Sequence, residues 1–274
     1  MSTTRRATLA ALAALPLAAS FASPAAARSH RTDRRTLYVA GDSTAAQKYV
    51  DAEPETGWGM ALPFFLADRI EVANHAVNGR SSKSFVDEGR LDAVLATIRP
   101  GDFMLIQFAH NDEKRADPTR YTEPWSTYQQ YLKLYIDGAR AKGARPVLAT
   151  SVERRKFDAD GNAVPTHGDY PAAMRALAEE EGVALLDVEA LSLALWQRLG
   201  VEETKVYFNW TATEQDNTHF NPPGAIAVAR LVARELLHAG VLPARDVRRI
   251  GDEIDELADV WASRLTWLPG TTPA

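Results

Sequence analysis

The chain alternates two hydrophobic periods, and this alternation restricts it to one class of architecture. Short apolar runs at residues 36–40, 70–77, 102–108, 144–150 and 183–187 are each followed by a stretch of helical spacing, at 57–69, 90–98, 125–142, 172–181 and 188–199. Parallel strands need long crossovers, and those crossovers bury best as helices, so five such units predict a parallel sheet covered on both faces. The run at 102–108 contains Phe103-Met104-Leu105-Ile106, apolar throughout, as a strand buried on both faces must be. A polar loop over 209–223 leads into two more expected helices, 224–239 and 244–262, and the tail beyond Trp267 reads as frayed. Residues 154–170 form a polar insertion, in which Asp158-Ala159-Asp160-Gly161-Asn162 marks a turn or short hairpin.

The first 27 residues stand apart from this pattern. Arg5-Arg6 gives a basic start, 7–22 an apolar run broken by Pro16, and Ala25-Ala26-Ala27 a small-residue cleavage site, the layout of a secretory signal. The apolar run falls short of the roughly 20 residues a membrane span needs, so it reads as export and not as an anchor. Thr4-Arg5-Arg6-Ala7-Thr8-Leu9 partly resembles a twin-arginine signal, with Thr8 where phenylalanine is favoured, and the export route stays open. The expectation is a signal at 1–27, a polar basic linker at 28–35, and one secreted, extracellular domain over 36–268. The chain has no cysteine, which excludes a thiol nucleophile, a disulfide framework and cysteine metal sites. Without Arg5 and Arg6 the formal charge moves from −5 to −7, which argues against nucleic acid or an anionic membrane as partner. An anionic polysaccharide stays possible if a few arginines line one cleft.

Ligands of open α/β sheets sit outside the carboxyl ends of the strands, so the loops after the first three strands and the late loop before the final helices carry the candidate chemistry. Gly41-Asp42-Ser43-Thr44 follows the first strand and sets the Ser43 hydroxyl at a strand-to-helix turn, where a serine is either a helix cap or a nucleophile. A nucleophile needs a base, and Asp216-Asn217-Thr218-His219 offers a histidine with a carboxylate three residues before it. Otherwise Asp216 orders its own loop and His219 lies on the surface. The Gly79 backbone N–H, the Asn111 amide and the Ser43 backbone N–H are candidate donors to an oxyanion, although turn formation is the ordinary use of Asn78-Gly79-Arg80 and His110-Asn111-Asp112.

In chain order, Ser43, Gly79, Asn111 and His219 resemble the four blocks that name the SGNH branch of the GDSL hydrolases, and Asp216 matches that family's Asp-x-x-His. Ala40-Gly41-Asp42-Ser43-Thr44, Gly57-Trp58-Gly59, Gly79-Arg80-Ser81-Ser82, Glu88-Gly89-Arg90 and His110-Asn111-Asp112 are similar to rhamnogalacturonan acetylesterases in particular. The resemblance implies a three-layer α/β/α, flavodoxin-like fold with a five-stranded parallel sheet. It also implies a catalytic Ser43, Asp216 and His219, an oxyanion hole of Ser43, Gly79 and Asn111, and removal of acetyl groups from pectic polysaccharide without a metal or other cofactor. Ala109, the Phe220-Asn221-Pro222-Pro223-Gly224 block and the missing cysteines depart from the pattern of some relatives.

On this reading Ser43 attacks the ester carbonyl and His219, which must be neutral, takes its proton, so acid should silence the enzyme. Arg80, Lys83 and Arg90 could pair with uronate carboxylates, and Trp58, Trp125 and Trp210 either stack on sugars or fill core. The substrate-binding set is Arg80, His110 and Trp210, with His110 either lining the site or making a structural hydrogen bond. His75 is expected in the core, and His30, His167 and His238 suggest no function. The expected partner is an acetylated polysaccharide or oligosaccharide substrate, and the protein is expected to be a monomer. Competing readings are an esterase for acetylxylan, short-chain or lipid esters, a metal phosphoesterase using Asp42, His110, Asp112, Asp216 and His219, and a non-catalytic carbohydrate-binding protein.

Overall fold

The computed structural model describes residues 34–251 and 255–272, so the expected signal at 1–27 and most of the linker lie outside the described residues. Five strands, β1 (Arg35–Gly41), β2 (Ile70–Asn74), β3 (Phe103–Gln107), β4 (Arg145–Ala149) and β5 (Ala184–Leu186), form one sheet in the order β2-β1-β3-β4-β5. Every pairing is parallel. This order changes direction between β1 and β3, which leaves a crevice at their carboxyl ends.

The period-2 alternation of the strands sorts side chains into two cores. Leu37, Val39, Phe103, Leu105, Val147 and Ala149 pack with α1 (Trp58–Ala61), α6 (Val188–Glu203) and α7 (Pro222–His238). Tyr38, Ala40, Met104, Ile106 and Leu148 face the other way, toward α2 (Ser82–Asp87), α3 (Arg90–Thr97), α4 (Gln129–Ala141) and α5 (Tyr170–Glu181). The result is the expected α/β/α sandwich. Each large apolar side chain it buries contributes about 1.5–3 kcal/mol.

Element bounds differ from the periodicity where polar side chains intervene. The helix expected over 57–69 is only α1 followed by a 3-10 turn at Leu62–Phe65, because Pro63 offers no N–H to continue the helical ladder. β2 stops at Asn74, whose amide donates to Ala45 O (2.7 Å) while its Oδ1 accepts from Ala76 N (3.1 Å). β3 starts at Phe103 because the Asp102 carboxylate accepts from Thr36 N (2.8 Å) and Arg99 N (2.9 Å) and turns the chain. α2 has no counterpart among the helices that the periodicity predicts; Ser81 caps it in a reciprocal arrangement with Ser84, in place of the usual Glu or Gln.

The largest corrections come late in the chain. The stretch expected as a polar loop over 209–223 holds an antiparallel hairpin, β6 (Phe208–Trp210) and β7 (Gln215–Phe220), followed directly by α7. Phe208 pairs with Phe220, and both rings pack on Trp196 of α6. The helix expected over 244–262 is instead a 3-10 turn at Ala244–Asp246 and a short α8 (Asp259–Ala262). The buried Asp246 carboxylate takes both Arg35 and Arg69, which pins the chain to the sheet edge there. The tail is not frayed at Trp267: its indole donates to Glu55 O (2.8 Å), and Leu268 pairs with Tyr49. In the 154–170 insertion, Phe157 pairs with Ala163 and closes the expected turn.

Candidate active site

β1 delivers Ser43 into a single tight turn with no helix behind it. Asp42 Oδ1 accepts from Thr44 N (2.9 Å) and Thr44 Oγ1 (2.7 Å), and Asp42 O accepts from Ala45 N and Ala46 N. Gly57-Trp58-Gly59 packs backbone to backbone on this turn, through Trp58 N to Thr44 O (2.9 Å) and Gly59 N to Ala45 O (3.2 Å). A Cβ on Gly57 would lie 2.0 Å from Ala46 O, so only glycine allows the approach. Trp58 is buried and donates to Gln107 Oε1 (2.9 Å), which makes it core and not a sugar platform.

Ser43 caps nothing among the described residues. Its Oγ lies 2.8 Å from His219 Nε2, and His219 Nδ1 lies 2.6 Å from Asp216 Oδ2. The other Asp216 oxygen accepts from Thr218 N (2.6 Å) and His219 N (3.1 Å), curling β7 so that residues three apart meet on one side. Burial alone would raise the Asp216 carboxyl, but the hydrogen bond and charge of His219 and these backbone donors outweigh it and hold the carboxyl below its ordinary value. The three side chains can therefore pass a proton from a hydroxyl to an imidazole held in one tautomer.

Gly79 sits at φ +75°, in the left-handed region that favours glycine. Neither its backbone N–H nor that of Ser43 has a hydrogen-bond partner among the described residues. Asn111 follows β3, and its amide donates to Arg80 O (3.0 Å), which ties the third candidate donor to the Gly79 loop. Asp112 fastens the same region by accepting from the backbone N–H and hydroxyl of Ser82 and from Thr122 Oγ1. Asp42 and Asp112, candidate ligands in the phosphoesterase reading, are thus each engaged in shaping a loop. Among the described residues no three His, Asp or Glu side chains gather as a metal-binding group.

The other predicted positions take varied places around the site. His110 is buried and stacks edge-on against His167 (4.4 Å between centroids), with neither ring nitrogen partnered among the described residues. Burial and the charges of His167, Arg154 and His219 push its pKa well down, so it is neutral. His167, expected to be uninformative, is buried with its nitrogens on Glu113 (3.1 Å) and Val152 O (3.0 Å). His75 is only half-buried, stacked on Tyr38. Trp125 is exposed, and Trp210 carries the Arg155 guanidinium 4.4 Å from its ring centre. Arg80 pairs with Glu88 (3.0 Å), which also takes Arg90 (2.5 Å).

Two residues that the sequence did not single out hold the site together. Lys48, fully buried, donates to Asn78 Oδ1 (2.8 Å) beside Gly79 and pairs with Glu55 (2.5 Å). Burial lowers its pKa, against the opposing pull of Glu55, Asp42 and Asp216. Arg155, in the insertion, donates from its backbone to Asn217 O (2.8 Å) and from its guanidinium to Asn217 Oδ1 (3.1 Å), Thr204 Oγ1 (3.1 Å) and Val201 O (2.5 Å).

The sequence profile of the GDSL-like Lipase/Acylhydrolase family matches residues 39–226, a span that includes Ser43, Gly79, Asn111, Asp216 and His219. The chain belongs to this family. It is therefore a carboxylic ester hydrolase. Rhamnogalacturonan acetylesterase RhgT of Bacillus subtilis is 43% identical over 228 residues, covering 79% of this chain and 96% of that protein. The probable rhamnogalacturonan acetylesterase YesY of the same organism is 45% identical over 205 residues, covering 75% and 94%. The crystal structure of Bacillus subtilis YxiM superposes with a TM-score of 0.68 at 32% identity, covering 76% of this chain. The chain spans 57% of that protein's length.

Proposed function

We propose that this ester hydrolase is a secreted serine acetylesterase that removes acetyl groups from pectic polysaccharide of the rhamnogalacturonan type. The observation that carries the reading is the continuous line from Asp216 Oδ2 through His219 to Ser43 Oγ, at 2.6 and 2.8 Å. In the proposed reaction Ser43 Oγ bonds to the acetyl carbon as His219 takes its proton, and the oxyanion rests on the N–H groups of Ser43 and Gly79 and the Asn111 amide. The sugar oxygen leaves with the proton from His219. Water then attacks the acetyl-serine, its proton returns through His219 to Ser43, and acetate departs. The names of the two Bacillus subtilis acetylesterases support the substrate class. The Arg5-Arg6 start, apolar run and Ala25-Ala26-Ala27 site support export.

The test joins labelling to turnover. A fluorophosphonate should modify Ser43, Ser43→Ala should neither label nor release acetate, and acetate release should be faster from acetylated rhamnogalacturonan than from acetylated xylan or short synthetic esters. Wild-type rates in Ser43→Ala would refute the mechanism, and a preference for long-chain lipid esters would refute the substrate. Protein recovered outside the cells should begin at Arg28; an intact Met1 there would refute cleavage after Ala27.

A further inference from the structure

A cleft of about 940 Å³ opens beside the Gly79 loop, between α2 and the segment around Arg120. Three cations line it: Arg80, Lys83 and Arg120. Each spends only part of its donor capacity on the protein. Arg80 uses Nε on Glu88 (3.0 Å) and Nη1 on Asn78 O (2.9 Å), and Lys83 places one proton on Pro118 O (2.7 Å). Arg120 uses Nε on Asp117 (2.5 Å), and its Nη1 lies 3.4 Å from Asn111 Oδ1 and 3.5 Å from Gly79 O. The Nη2 groups of both arginines have no partner among the described residues. Asp87 and Glu88 also line the cleft, but Glu88 is shared between Arg80 and Arg90. Arg90 does not line it.

Arginine forks and a lysine with unspent N–H donors suit a planar carboxylate better than a neutral sugar hydroxyl. We propose that Arg120, together with Arg80 and Lys83, forms an anion subsite that binds a uronate carboxylate of the polymer whose ester is cleaved. This rests on the acetylesterase reading above. Because the same guanidinium lies 3.4 Å from Asn111 Oδ1, it also favours the amide orientation in which Nδ2 faces Arg80 O. Arg120 thereby joins the choice of an acidic sugar to the placement of an oxyanion donor, and it becomes a specificity-determining residue that no local sequence pattern marks.

Binding without turnover tests this directly. Ser43→Ala protein is titrated by calorimetry with a de-acetylated rhamnogalacturonan oligosaccharide and with the same oligosaccharide after its carboxylates are reduced to alcohols. The acidic form should bind about tenfold or more tightly, the scale of one charge-assisted hydrogen bond, and the gap should shrink as salt is raised. Adding Arg120→Gln or Lys83→Gln should narrow the gap. Equal affinity for the two ligands, or a gap that survives both substitutions, overturns the proposal. Circular dichroism checks folding, and Lys83→Gln decides the matter if Arg120→Gln does not fold. Failure of the acetylesterase reading would appear elsewhere, as wild-type enzyme releasing no acetate from the acetylated polymer.

Discussion

In the proposed mechanism Asn111 gives one amide to two tasks. One Nδ2 proton goes to Arg80 O, and in the proposed reaction the other serves the charge that develops on the ester oxygen. Asn111→Ala should therefore lower kcat by about 10²–10³-fold with little change in KM, since such a donor acts mainly in the transition state. A wild-type kcat would remove Asn111 from the oxyanion hole. Lys48 acts one step further out. With no solvent on its ammonium, Lys48→Met should leave Glu55 and Asn78 without their partner and destabilise the fold by about 1–3 kcal/mol, read as a shifted denaturant midpoint. An unchanged midpoint would count against the tether. The contrast also explains what was legible at this scale. Ser43, Gly79, Asn111, Asp216 and His219 were readable because a serine ester hydrolysis calls for those residue types and because their chain order matches the blocks of the family. Lys48, Arg120 and Arg155 were not, because each takes its role from a partner that only folding brings near, as Arg155 does from Asn217, 62 positions away.

The β6–β7 hairpin is the element on which the proposed base depends, and it lacks the usual marks of a hairpin. Its turn, Thr211-Ala212-Thr213-Glu214, contains neither Gly nor Pro, and Gln215 to His219 is polar on both faces, so the sequence reads as loop. Only Phe208 and Phe220 betray burial, and they do so by packing on Trp196. With no cysteine in the chain, Arg155 supplies the fastening, its guanidinium stacked on Trp210 and bonded to Asn217 between Asp216 and His219. Arg155→Met should lower kcat by about tenfold or more, because a small displacement of the base breaks the alignment with Ser43. KM should change little, as Arg155 lines none of the cleft beside Gly79. Asn217→Ala should reproduce part of the loss, and the double variant should fall short of the sum. Strict additivity would mean that Arg155 supports the fold without aligning His219.

At the scale of the whole molecule, the alternating periods were enough to read the layers, the parallel sheet and the number of its strands, because burial on both faces leaves few arrangements for such a pattern. The joints between layers were hidden, and Asp112 is the clearest of them. Its carboxylate holds the start of α2 through Ser82 and the loop before α4 through Thr122, while its carbonyl accepts from the Tyr170 hydroxyl of α5 (2.8 Å). Burial drives this carboxyl up to about 7 even though Ser82 and Thr122 donate to it. An acid whose pKa is raised by folding keeps its proton in the native state over a range where the unfolded chain has lost it. Between about pH 4 and 7 the native state therefore binds more protons, and this group makes stability fall as pH rises across that window. Asp216 has the opposite sign: its lowered pKa stabilises the fold at neutral pH, and that contribution disappears only as pH falls below the ordinary carboxylate range. Asp112→Asn should weaken the fold at every pH through its mismatched amide, yet flatten the slope from pH 4 to 7. The melting-temperature gap between variant and wild type should then narrow as pH rises, by roughly 5 °C or more across the window. A gap that stays constant from pH 4 to 7 would mean that Asp112 is ionised throughout and held by its donors alone.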